Sequence, residues 1–75
     1  MAINEAKQTK LKELGLRLKS IRMAKGLTLI ELGYEVDKDP QSISRVEMGN
    51  SNPSYLYLLK LSEGLKVDIK VLIAD

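Results

Sequence analysis

The 75-residue chain has no cysteine and no histidine. Without thiols it forms neither disulfides nor thiolate metal sites. Without imidazole it has no side chain that ordinarily titrates near neutral pH, and no imidazole metal ligand. An enzyme is therefore not expected, and neither a cofactor nor a bound metal is implied. No apolar run approaches the length of a membrane span and no signal-peptide pattern is present, so the chain reads as cytoplasmic, with no membrane partner. Neither sign of charge prevails strongly. Twelve Lys and Arg against ten Asp and Glu leave a net +2, and a pI near 9.0 is compatible with a nucleic-acid partner without requiring one.

What is present suffices for one domain. Hydrophobic residues make up 44% of the chain, but a chain this short buries only roughly 60–65% of the surface its unfolded form exposes, so it gains from association. Residues 1–8 are polar with weak helical tendency, a flexible or helix-extending N-terminal segment. Residues 9–75 read as the domain. A first helix is predicted over residues 9–25, with Leu11, Leu14, Leu18 and Ile21 forming its apolar stripe. Gly15 interrupts this good helix at a cost of up to about 1 kcal/mol relative to alanine, which points to a close helix-to-helix approach.

The most informative stretch is Leu27 to Gly49, LTLIELGYEVDKDPQSISRVEMG. Leu27, Leu32, Val36, Ile43 and Val46 give two short helical patterns, each with one buried face. The first opens with Thr28 as cap and Glu31 reaching back, flanked by a Leu27–Leu32 staple. The second opens with Asp39 as cap and Pro40 in the first turn, where its missing N–H costs nothing. Gly49 supplies the left-handed residue that ends it. The short turn around Asp37 and Lys38 between them is the length of a helix-turn-helix. Helical spacing turns Ile43, Val46 and Glu47 inward and leaves Pro40, Gln41, Ser44, Arg45 and Met48 outward.

After Gly49, Pro53 stops the preceding helix and Ser54 caps a fourth that runs to about residue 64. Tyr55, Leu58, Leu61 and Leu65 fall at spacings of three and four and are expected to close the core. A short final helix opens at Asp68.

From Leu14 to Leu72 the sequence resembles the helix-turn-helix family of the lambdoid phage repressors and Cro, the XRE-like regulators. The residues carrying the likeness are Leu14-Gly15, Leu18, Ile21-Arg22, Lys25 to Thr28, Glu31-Leu32, Ile43 to Gly49, Asn52-Pro53-Ser54 and Leu65-Lys66-Val67. The block ISRVEMGNSNPS is the most specific. The resemblance implies an all-α fold, a compact five-helix repressor-like domain with the helix-turn-helix at helices 2 and 3. It implies double-stranded DNA as partner and transcriptional regulation as function.

Particular residues follow from that likeness. Arg22, which on its own is one of several basic residues with Arg17, Lys19 and Lys25, is expected to pair with Glu47, partly buried. Pro40, Gln41, Ser44 and Arg45 become the base-reading set. The Gln41 amide matches N6 and N7 of adenine, and the Arg45 guanidinium matches O6 and N7 of guanine. Thr28, Lys38, Asn50, Asn52, Ser54 and Tyr55 are the candidates for phosphate.

The chain also departs from the family pattern. Leu29 stands where relatives open the second helix with glutamine, so a side-chain bond to phosphate is missing there. The helix N-terminus still offers backbone N–H groups. Gly33 stands where alanine is common, Asp37 where glycine is, and Lys38 at a site usually apolar.

Leu56, Tyr57, Leu59, Val71 and Ile73 remain as surplus apolar residues. They either complete the core of a small domain or form a homodimer interface on the fourth and fifth helices, with two reading helices about one DNA turn, ~34 Å, apart on a near-palindromic operator. Restriction-modification controllers and some antitoxins share this size and pattern, which leaves a protein partner such as polymerase or a toxin open. The competing reading is a helical protein-interaction module, antitoxin-like or a scaffold, that has lost DNA binding or supplements it.

Overall fold

A computed structural model describes residues 2–73. Among the described residues there are five helices and no strand: α1 (Ala2–Ala24), α2 (Leu29–Val36), α3 (Pro40–Glu47), α4 (Tyr55–Leu65) and α5 (Ile69–Ile73). Residue 1 of the N-terminal segment, and residues 74 and 75 of the domain, lie outside the described residues. α1 starts well before Thr9, so residues 2–8 are continuous with it.

The local signals act as their chemistry dictates. Thr28 and Glu31 form the reciprocal capping box on α2, with Oγ1 of Thr28 accepting from Glu31 N–H at 3.1 Å and the Glu31 carboxylate accepting from Thr28 N–H at 2.9 Å. Asp39 caps α3 by accepting from Gln41 N–H at 3.0 Å. Between them Asp37 takes the left-handed conformation at φ 55°, which lets the chain turn within three residues. At the end of α3, Gly49 is left-handed at φ 76°. It and Asn50 donate back to the Val46 and Arg45 carbonyls at 3.0 and 2.9 Å, the paired bonds of a Schellman end.

One core unites the helices. Leu18 of α1, Leu32 and Val36 of α2, Ile43 and Val46 of α3, Leu58, Leu61 and Leu65 of α4, and Leu72 of α5 are buried together. Leu14, Ile21, Leu27, Leu29 and Tyr57 pack around them. α1 lies against α3 and α5, while α2 lies against α3 and α4.

Tyr55 corrects an expectation. It is 60% exposed and takes no part in the core, because it is the first residue of α4 and projects from the rim. Tyr57 is the tyrosine that packs inward, so the apolar surplus is smaller by that residue.

α5 is too short to hold itself by helix hydrogen bonding. Asp68 accepts from Lys70 N–H at 2.9 Å, Leu72 is fully buried, and Nη1 of Arg17 donates to the Leu72 carbonyl at 2.7 Å. That last contact joins positions 55 residues apart and gives Arg17 a role beyond solvation.

Candidate nucleic-acid interface

The eight residues of α3 are too few for a stable isolated helix, so its orientation has to come from its neighbours. The first restraint is backbone contact. A Cβ at Gly15 would stand 2.3 Å from the Glu47 carbonyl oxygen and 2.4 Å from that of Val46, so α1 touches the last turn of α3 at a distance only glycine permits.

The second restraint is the expected ion pair. Arg22 Nε donates to Glu47 Oε2 at 2.7 Å and Nη2 to Oε1 at 3.1 Å, a two-pronged geometry. Nη1 donates to the Leu27 carbonyl at 2.8 Å, which ties in the α1–α2 connection. Arg22 is 8% exposed and Glu47 is 7% exposed. The bond to Glu47 raises the Arg22 pKa above its ordinary value despite burial, so the guanidinium stays charged.

The third restraint was not foreseen. Ser42 and the Tyr57 hydroxyl share a hydrogen bond of 2.6 Å, joining the first turn of α3 to α4.

Held in this way, α3 turns Gln41, Arg45 and Met48 to solvent, with Pro40 and Ser44 half-buried beside them. Neither the Gln41 amide nor the Arg45 guanidinium bonds to another described residue. A helix that buries Ile43, Val46 and Glu47 while leaving amide and guanidinium donors unused can offer those donors to base edges.

The flanking candidates fall into groups. Thr28, Pro40, Gln41 and Ser44 line one groove together with Leu29 and Ile30. The Thr28 oxygen accepts within the capping box and its hydroxyl also holds the Glu31 carboxyl, so this side chain is engaged at the cap. Asn50 and Asn52 line a second groove against Lys7, Gln8 and Leu11 of α1. Ser54 accepts from Tyr57 N–H at 3.0 Å as the α4 cap, and Tyr55 next to it is exposed. Lys38 stands apart from these. Its stem is half-buried and its amine sits 5.2 Å from the centre of the Tyr57 ring, a cation–π placement.

On α4 and α5, Leu56 is 72% exposed, Val71 and Ile73 are exposed and Leu59 is half-buried. No helix among the described residues is long and apolar enough to cross a membrane.

Comparisons with known proteins bear on this geometry. The family model described as Helix-turn-helix matches residues 18–72. The restriction-modification controller protein C.AhdI from Aeromonas hydrophila is 33% identical, with a TM-score of 0.84 over 85% of this chain and 97% of that one. The clp gene regulator ClgR from C. glutamicum is 28% identical, with a TM-score of 0.81 over 85% of this chain and 83% of that one. An HTH_3 family transcriptional regulator from Vibrio cholerae has the same fold at 22% identity and a TM-score of 0.85, over 91% of this chain and 38% of that one. No curated protein matches the chain significantly.

Proposed function

The chain belongs to the XRE-type helix-turn-helix family of DNA-binding transcription regulators, and from that membership we propose that it acts as a homodimer reading a near-palindromic operator through α3. The observation that carries the reading is the outward face of α3, where Gln41 and Arg45 are exposed and unengaged on a helix fixed by its other side. Gln41, near the helix N-terminus, contacts a base, and Arg45, one turn later, contacts guanine or a neighbouring phosphate. Asn50, Asn52, Ser54 and Tyr55 hold the sugar-phosphate backbone beside it through neutral donors.

Dimerisation is supported by the exposed Leu56, Val71 and Ile73 on α4 and α5. Bound at its operator, the domain regulates by occluding polymerase or by contact with a second protein on its free face.

Selection of bound fragments from random duplex DNA tests the whole reading. A recovered motif with two inverted half-sites supports it, and a motif without symmetry removes the dimer. Gln41→Ala or Arg45→Ala should weaken binding to that motif by about 1–3 kcal/mol and relax preference at one base pair per half-site. Binding that ignores ionic strength would instead favour the protein-interaction module, since contacts to several phosphates weaken steeply with salt.

A further inference from the structure

α1 runs past α3, and the side of α1 next to it carries cations that base reading does not use. Lys12, Leu16 and Lys19 follow one another at spacings of four and three, so they form a stripe. This stripe is offset from the Leu14, Leu18 and Ile21 stripe that enters the core. All three are exposed, Leu16 by 64%. They line a groove together with Ser44, Met48 and the Arg22-paired Glu47 of α3, and with Arg22 and Leu29. Lys12 is held in place in that groove, because its stem packs on Gly49 so closely that a Cβ there would meet its Cγ at 2.7 Å.

The order of chemistry along the stripe is cation, hydrocarbon, cation, and the 56%-exposed Met48 lines the same groove. Water gains nothing from two apolar side chains held in one groove. A deoxyribose-phosphate strand, in which anionic phosphates alternate with apolar sugar faces, matches the order. Lys12 and Lys19 are two helical turns apart, about 10.5 Å at 1.5 Å per residue, which suits two different phosphates.

We propose that Lys12 and Lys19 each bind a phosphate of the strand bordering the groove that α3 enters, with Leu16 and Met48 packed on the sugars between. The proposal rests on the reading of α3 as the helix that meets DNA. It also supplies, from α1, phosphate ligands that the apolar side chain of Leu29 cannot provide.

The test is the salt dependence of binding to the selected duplex, followed by fluorescence anisotropy. Glutamine is the replacement of choice at Lys12 because it keeps the part of the stem that packs on Gly49. For Lys12→Gln/Lys19→Gln, the slope of log affinity against log salt should become less steep by roughly 3.6 for the dimer, two phosphate contacts' worth in each protomer. Preference among base sequences and the thermal midpoint should stay as in the parent. Lys12→Arg/Lys19→Arg should keep the parent slope, and so should Lys60→Gln/Lys70→Gln on α4 and α5. A parental slope in the Lys12→Gln/Lys19→Gln protein overturns the proposal while leaving α3 as the reader. Equal losses in the Gln and Arg pairs overturn it as well, since the lysines would then act through the fold. A parent that binds no duplex at any salt overturns the DNA reading, and this inference falls with it.

Discussion

Arg22 and Arg17 sit five residues apart on α1, and each reaches over to hold a helix that could not hold itself. Arg22 is buried, meets a carboxylate with two prongs and spends a third donor on the Leu27 carbonyl. Arg17 is half-buried and meets one neutral carbonyl, that of Leu72. A buried charge bonded to a charge is costly to disturb, whereas a half-exposed charge can turn back to water. The two contacts therefore divide the molecule into a rigidly set α3 and a lightly pinned C-terminal helix.

The largest test of that contrast is Arg22→Ala, which strands the Glu47 carboxylate in a dry site. It should cost about 3–5 kcal/mol in urea unfolding, and replacing both partners with apolar residues, as in Arg22→Met/Glu47→Leu, should recover much of the loss. An unchanged midpoint in Arg22→Ala would mean that α3 is held by packing alone.

Next in size is Gly15→Ala. The added methyl has no room against two backbone carbonyls, so the helices must separate, at about 1–3 kcal/mol. Because α3 shifts, affinity for DNA should fall although Gly15 is buried under α3. Retained affinity with lowered stability would show that the exact seat of α3 matters little to binding.

Arg17→Ala should cost only about 1 kcal/mol. Amide exchange should speed up in α5 and stay slow in α3, and equal acceleration in both would erase the distinction between the two arginines.

The smallest effect is at the α2 cap. The Thr28 backbone N–H, followed by the Thr28 hydroxyl, holds the Glu31 carboxyl below its ordinary pKa. A depressed folded value means the contribution is full above the unfolded pKa and fades as pH falls through the lower folded one. Stability curves of the parent and Glu31→Gln should therefore differ near neutrality and converge in acid, and parallel curves would show that the box adds nothing.

Much of this was legible in the residues because it depends on neighbours in sequence. The caps at Thr28, Asp39, Ser54 and Asp68, the left-handed Asp37 and Gly49, and the inward face of α3 all follow from periodicity and local hydrogen bonding. The Arg22–Glu47 pair spans 25 residues and was anticipated through the family resemblance, since no local rule reaches that far. The contacts that escaped depend on how helices cross. Arg17 meets Leu72 because α5 folds back on α1, and the Ser42–Tyr57 bond exists because α4 passes the first turn of α3. Spacing within α4 likewise could not show that Tyr55 would fall at the rim and Tyr57 against the core. Lys12, Leu16 and Lys19 were not singled out in the sequence, because their meeting with Ser44 and Met48 follows from where α1 crosses α3.

The Ser42–Tyr57 hydroxyl pair has a metric consequence. It couples the first turn of α3 to the same helix that carries Leu56 and Leu59. In the proposed dimer, the distance between the two readers would then be gauged by rigid helices instead of a slack connection. Such an assembly behaves as a ruler: inserting a single base pair between half-sites should weaken binding far more than changing the identity of the base pairs that lie there.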